Sequence, residues 1–229
     1  MQLFLVRHGQ SFNNTLPNGS GRVDDPPLTE IGLKQAPLVA RHLAEAPAKD
    51  PHNEGGAVAG FGITKLFTSA MLRCLQTSAP IAEALDLDPE IWVDVHEECG
   101  IWLEGVETLP GLTRSEIADQ FPRVAIPDEI GEDGWWNRPR ETETEWLARA
   151  QRVADRLWSE FADTDERLAV VAHGGFIKDL VSVLIAGGPL SPGIISSRNT
   201  SITCFSFVEG QLVVGYLNRI DHLSAEWVT

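Results

Sequence analysis

Two short apolar runs in this chain each stop at a histidine followed by glycine, and this limits the folds open to it. The first, Leu3-Phe4-Leu5-Val6, gives way to Arg7-His8-Gly9; the second, Leu168-Ala169-Val170-Val171-Ala172, gives way to His173-Gly174-Gly175. Unbroken apolar runs of this length suit strands buried on both faces, as parallel strands are when helices cover the sheet. In open α/β sheets, ligands sit just beyond the carboxyl ends of the strands, where loops leave the sheet. A histidine placed there is held by a rigid element yet faces solvent. Glycine beside it lets the backbone turn sharply or come close to a ligand.

The rest of the chain alternates strand and helix patterns. Residues 11–27, rich in Gly, Asn and Pro, predict a long loop with donors at Ser11, Asn14 and Arg22. A helix follows with Thr29 as its cap, Leu33, Ala36, Ala40 and Leu43 on its apolar face, and Pro37 as a point of kinking or division. A Pro/Gly-rich connection over 46–61 carries His52, which reads as solvated. Residues 63–68 predict a strand, and Ser69 the N-cap of a helix over 70–85. Arg73 then lies on the first turn, and its side chain leans back over the strand end, adding to the positive helix terminus. A third strand over 90–95 runs into His96-Glu97-Glu98-Cys99-Gly100. A short helix is expected over 113–121. The irregular acidic segment over 122–139 carries Trp135-Trp136, which need the cover of a lid or packed flap. An amphipathic helix is expected over 141–161, with Trp146, Ala150, Val153, Leu157, Trp158 and Phe161 inward. A helix over 176–185 follows His173, and 201–208 with 212–217 read as a closing hairpin. The edge of that hairpin either pairs with a second copy, giving a homodimer, or is covered within one. Strands alternating with helices predict a three-layer α/β/α sandwich with a mostly parallel sheet, one domain over residues 1–229.

Charge narrows the function. A formal net charge of −15 argues against nucleic acid or an anionic membrane as partner. No apolar run is long enough to span a bilayer, and the amino terminus has no secretory pattern. Three cysteines without metal-ligand spacing read as free thiols in the cytoplasm, and neither metal nor cofactor is expected. An acidic protein that handles an anionic substrate must gather its few cations locally. Arg7-His8, Arg73, Glu97 and His173 stand at four strand ends that can share one pocket. Two arginines, two imidazoles and a helix amino terminus fit a dianionic tetrahedral group, most simply phosphate on a small substrate. A neutral imidazole amid fixed positive charge is a competent nucleophile toward phosphorus, and a neighbouring carboxylic acid can protonate the leaving oxygen.

The stretch Leu5-Val6-Arg7-His8-Gly9-Gln10-Ser11 resembles the leading motif of the histidine phosphatase superfamily, which includes the cofactor-dependent phosphoglycerate mutases. The segment Asp25-Pro26-Pro27-Leu28-Thr29-Glu30-Ile31-Gly32 is similar to the family's opening of the first helix. Thr68-Ser69-Ala70-Met71-Leu72-Arg73 resembles the segment with the second phosphate-binding arginine, and Val171-Ala172-His173-Gly174-Gly175 the one with the second histidine. The resemblance implies a phosphoglycerate mutase-like fold in which His8 becomes a phosphohistidine. It implies that Arg7, Arg73 and His173 bind the phosphoryl group, with Ser11 and Asn14 lining its cradle, and that Asn199 supports the His8 loop. Glu97 would be the acid/base, with Glu98 as the adjacent alternative. The mutases carry an arginine after that glutamate and a later arginine pair to grip a sugar-acid carboxylate. Here Glu97-Glu98-Cys99-Gly100-Ile101 has no arginine, and the later region offers Arg138 and Arg140 around Pro139. The expectation is therefore a metal-independent phosphomonoester hydrolase, with water as acceptor. Mutase-type transfer is the alternative, and a non-catalytic phospho-ligand binder is disfavoured because all four phosphate-site residues are present. Trp102, Trp135 and Trp136 suggest apolar walls at a pocket mouth, or else core packing.

Overall fold

The first strand, β1 (Gln2–Arg7), sends Leu3 and Leu5 into one apolar cluster and Phe4 and Val6 into another. A strand that is apolar at every position needs cover on both faces, and helices supply it. The computed structural model describes residues 1–17, 20–46, 60–191 and 193–229; His52 and most of the expected 46–61 connection lie outside them. The helices are α1 (Glu30–Glu45), α2 (Leu72–Leu85), α3 (Arg114–Gln120), α4 (Glu143–Arg156) and α5 (Gly174–Ala186). The other strands are β2 (Lys65–Thr68), β3 (Glu90–Ile91), β4 (Arg167–Ala172), β5 (Ile202–Val208) and β6 (Gln211–Arg219).

The sheet order is β3-β2-β4-β1-β5-β6. The first four strands run parallel, while β5 lies antiparallel to β1 and β6 antiparallel to β5. Leu3 and Leu5 pack with Ala150, Val153, Ile177 and Leu180 of α4 and α5; Phe4 and Val6 pack with Val39, Leu43, Ile81 and Ala82 of α1 and α2. The expected three layers are present. Fully burying one such aliphatic side chain is worth about 1.5–3 kcal/mol, so the two faces of the central strands contribute much of the fold's stabilisation. The parallel register pairs Arg7 with Ala172 and Thr68 with Val171. His8, His173 and Ser69 therefore leave three neighbouring strands at one level.

Several boundaries depart from the sequence pattern. Pro37 does not divide α1, which runs unbroken through it from the Thr29 cap. Leu33 is 54% exposed, and the buried face of α1 is set by Gly32, Gln35, Ala36, Val39, Ala40 and Leu43. The third strand keeps two residues and ends in a 3-10 turn at 93–95. The long helix stops being α-helical at Arg156 and closes in a π-turn over Leu157–Phe161, which leaves Trp158 36% exposed. Ser69 does not cap α2. That helix begins at Leu72, and the Ser69 hydroxyl is directed to His173 instead. Trp135 and Trp136 are buried with Met71, Leu75, Ile117 and Ile130 in a third cluster, so they are the core of a flap and not a pocket wall.

Candidate active site

The two ring nitrogens of His8 have partners of opposite kind. Nδ1 is 2.6 Å from the Gly9 carbonyl oxygen, and Arg73 Nε is 3.2 Å from Nε2. A carbonyl only accepts and a guanidinium only donates, so Nδ1 carries the proton and Nε2 presents its lone pair. Burial, then Arg73 and Arg7, push the His8 pKa well below the ordinary imidazole range, which keeps the ring neutral. The loop beneath it is pinned from several sides. Asn199 Nδ2 donates to the His8 carbonyl at 3.0 Å, and the Gly9 amide donates to Thr77 Oγ1 at 3.1 Å. Gly9 lies so close to α1 that a Cβ there would stand 2.8 Å from the Gly32 carbonyl oxygen.

Arg73 is aimed by a residue far off in sequence. The Asp25 carboxylate accepts from the Leu72 amide at 3.0 Å, capping α2, and meets Arg73 Nη1 at 3.5 Å. Burial raises the Asp25 pKa to about 6, against the pull of Arg73. Arg7 Nη1 donates to the Ser197 carbonyl at 2.5 Å, and its buried Nε has no protein partner among the described residues. Burial lowers the Arg7 pKa, and Glu97 acts in the opposite sense. His173 stands at the cap position of α5, with Nε2 2.9 Å from Ser69 Oγ and 3.3 Å from Cys74 Sγ. Its ring centroid is 5.2 Å from that of His8, and burial followed by Arg73 depresses its pKa strongly.

Glu97 sits on the positive end of α5. Its Oε1 accepts from the Phe176 amide at 3.0 Å and from the Glu98 amide at 3.0 Å. Gly175 makes room for this: a Cβ there would meet Glu97 Oε1 at 2.7 Å. Glu98 turns to Lys178, 2.6 Å from its Nζ. Ser11 and Asn14 form a turn behind the His8 loop. The Asn14 side-chain oxygen accepts from the Ser11 amide, the Ser11 hydroxyl and Asn199 Nδ2. Thus Arg7, His8, Arg73, Glu97 and His173 converge, while Ser11 and Asn14 brace the loop through Asn199. Among the described residues, no group of three or more His, Cys, Asp or Glu is arranged to hold a metal ion.

A neutral imidazole with a free-standing lone pair, two guanidinium groups and a helix amino terminus at adjoining strand ends agree with a family model. The model for the histidine phosphatase superfamily (branch 1) matches residues 3–220. The chain belongs to the histidine phosphatase superfamily. A Yersinia pestis protein named probable phosphoglycerate mutase GpmB is 37% identical, over 100% of this chain and 88% of that protein. A phosphoserine phosphatase from Entamoeba histolytica, solved with 3-phosphoglyceric acid, superposes with a TM-score of 0.63 at 24% identity, covering 97% of this chain and 99% of that one. A mycobacterial glucosyl-3-phosphoglycerate phosphatase superposes with a TM-score of 0.59 at 21% identity, covering 95% and 98%. At these identities the solved structures establish a shared fold.

This histidine phosphatase superfamily enzyme also uses residues that sequence reasoning did not single out. Arg149 of α4 is 1% exposed and donates to the carbonyls of Asp94, His96 and Glu97, while pairing with Glu141 at 2.8 Å. It therefore holds the loop that carries Glu97. An arginine next to Ala150 on the inner stripe of α4 was its one sequence signal. Asp25 had a weaker one, lying four residues before the Thr29 cap.

Proposed function

We propose that this protein is a phosphomonoester hydrolase that works through a phosphohistidine on His8. The observation that carries the reading is the fixed tautomer of His8, a neutral ring whose Nε2 lone pair faces Arg73. In the first step Nε2 attacks phosphorus and the ester P–O bond breaks. Glu97 gives its proton to the leaving oxygen. Arg7, Arg73 and His173 hold the equatorial oxygens as charge develops on them. In the second step water attacks phosphorus, forming a new P–O bond as the P–N bond to Nε2 breaks, and gives its proton to the Glu97 carboxylate. Inorganic phosphate leaves, and His8 returns to its neutral form. Glu97 is favoured over Glu98 because its carboxylate is held by the Phe176 amide at the α5 terminus, while the Glu98 carboxylate is paired with Lys178.

A mutase reading has one observation in its favour, that the Yersinia relatives are named probable phosphoglycerate mutases. Against it, the segment after Glu97 has no arginine, and Arg138 is engaged with the Trp136 ring and His96. The substrates are small phosphorylated molecules. Residues 1–229 act as one catalytic unit, and the three buried cysteines suit a reducing compartment such as the cytoplasm. Among the described residues, no helix is long and apolar enough to cross a membrane.

The test is to react the protein briefly with labelled para-nitrophenyl phosphate and denature it. Acid-labile, alkali-stable label is expected on the peptide containing His8. Label on a serine or on His173 overturns the assignment. With 3-phosphoglycerate primed by 2,3-bisphosphoglycerate, we expect release of inorganic phosphate; rapid formation of 2-phosphoglycerate would make the protein a mutase.

A further inference from the structure

The proton on His8 Nδ1 rests on the carbonyl of Gly9, 2.6 Å away. That oxygen belongs to the Gly9–Gln10 peptide unit, and the other end of the same unit is the Gln10 N–H. A peptide unit is planar, so whatever holds the Gln10 N–H also aims the Gly9 oxygen. The holder is Gln35 of α1, whose Oε1 accepts from the Gln10 amide at 2.7 Å. Gly32, three residues earlier on the same face of α1, permits the approach, because a Cβ there would collide with the Gln10 carbonyl oxygen.

Gln35 is fully buried, and both ends of its amide are engaged. Its Nε2 donates to the Trp227 carbonyl at 2.7 Å and to the Thr229 hydroxyl at 2.9 Å. An amide nitrogen only donates and an amide oxygen only accepts, so these partners fix which end faces Gln10. The Thr229 hydroxyl donates in turn to Asn199 Oδ1 at 3.1 Å, and Asn199 Nδ2 donates to the His8 carbonyl at 3.0 Å. This circuit leaves the nucleophile loop at Gln10 and returns to it at His8. Bridging α1 to residues 227–229 would need only the Nε2 contacts. The Oε1 contact adds nothing to that bridge, and it lands on the peptide unit that touches His8 Nδ1.

We infer that Gln35 is a positioning residue for the nucleophile, holding His8 in its Nδ1–H tautomer through the Gly9–Gln10 peptide. Hydrogen bonds in a chain polarise one another, so an acceptor on the Gln10 N–H makes the Gly9 oxygen a stronger acceptor. When Nε2 bonds to phosphorus, the ring keeps its Nδ1 proton and becomes positively charged. The polarised carbonyl then meets a cation, and its hydrogen bond strengthens at the step where the charge appears. The inference rests on the proposed role of His8 and deepens it, by naming a residue outside the phosphate pocket that selects the reacting nitrogen.

Two variants and one measurement on the wild type test this. Isotopic nitrogen in the histidine rings lets NMR report which ring nitrogen of His8 carries the proton, its signals being identified by their loss in His8→Ala. Wild type should show His8 protonated at Nδ1 and bare at Nε2. Gln35→Met removes both ends of the amide, whereas Gln35→Glu keeps an oxygen for the Gln10 N–H in either protonation state. In Gln35→Met a population protonated at Nε2 should appear. Phosphohistidine formation from para-nitrophenyl phosphate should slow about ten- to a hundred-fold, the range for a hydrogen bond to a charged group. Gln35→Glu should recover the Nδ1 tautomer and most of the rate. Binding of inorganic phosphate should be retained in both, because Arg7 and Arg73 keep their places. An unmoved tautomer in Gln35→Met, a Gln35→Glu protein as slow as Gln35→Met, or phosphate binding lost in step with rate overturns the inference. If Gln35→Met does not fold, the wild type decides: on adding vanadate the Gln10 amide proton should move downfield, and an unmoved resonance overturns the inference. The His8 labelling experiment reads the hydrolase proposal separately. No label in the wild type removes the nucleophile and leaves the tautomer result standing; label formed equally fast in Gln35→Met removes only the role of Gln35.

Discussion

At the scale of single residues, the site depends on which atoms are neutral and which are aimed. Glu97 and Glu98 are chemically alike, and only their partners separate them: the α5 amide for one, Lys178 for the other. If Glu97 protonates the leaving oxygen, Glu97→Gln should slow esters with poor leaving groups by about a hundred- to ten-thousand-fold. An aryl ester, whose leaving group scarcely needs a proton, should be slowed far less, and Glu98→Gln should show no such contrast. Steady-state rates over a series of leaving groups check this, and a leaving-group-dependent loss in Glu98→Gln would exchange the two roles. Asp25 gives a pH dependence. Its carboxyl releases a proton near the ordinary 3.8 in the unfolded chain and at about 6 in the folded one. Ionisation therefore costs the fold stability as pH rises through that window, and the full cost remains above it. The ionised form is nevertheless the one that aims Arg73, so below about pH 6 the grip on phosphate should weaken. KM for para-nitrophenyl phosphate should rise between pH 7 and 5 in the wild type, and rise less in Asp25→Asn. Parallel profiles would show that Asp25 does not govern Arg73.

At the scale of elements, strand ends and helix ends divide the work. The carboxyl ends of β1 and β4 place His8 and His173, α2 delivers Arg73, and the amino terminus of α5 receives the Glu97 carboxylate from the loop after β3. What makes the last placement rigid is α4, through Arg149. Replacing Arg149 with Met leaves Glu141 buried without its partner and three loop carbonyls without a donor. Removing one partner of a buried pair costs about 3–5 kcal/mol. Urea unfolding should show a loss of that order, and the surviving enzyme should resemble Glu97→Gln in losing most activity on poor leaving groups. An equal loss on aryl and alkyl esters would mean that Arg149 supports the fold without positioning Glu97.

At the scale of the whole molecule, the chain sets a small group of cations in a body of net charge −15. The layers that make this workable were legible early, because two runs that are apolar at every position can only be strands covered on both sides. Arg7, His8, Arg73 and His173, which the fold brings together, were legible because each lies at or beside the end of a strand pattern. Boundaries that depend on distant partners were not. Ser69 has the chemistry of a helix cap, yet His173 takes its hydroxyl while Asp25 caps α2 from the preceding loop. Trp135 and Trp136 read in sequence as a packed flap or as a pocket wall, and their burial against Met71, Leu75, Ile117 and Ile130 decides for the flap, while Trp102 lies under Arg22 and Arg140. The sequence by itself determined the fold class, the order of elements and the standing of His8 at a strand end, since hydrophobic period and strand-end residues are local properties of the chain. Only the tertiary structure decided the His8 tautomer, the different partners of Glu97 and Glu98, the anchoring of the Glu97 loop by Arg149 and the meeting of Arg22 with Arg140 over Trp102. Each of those is a contact between residues far apart in sequence, formed only when the layers close.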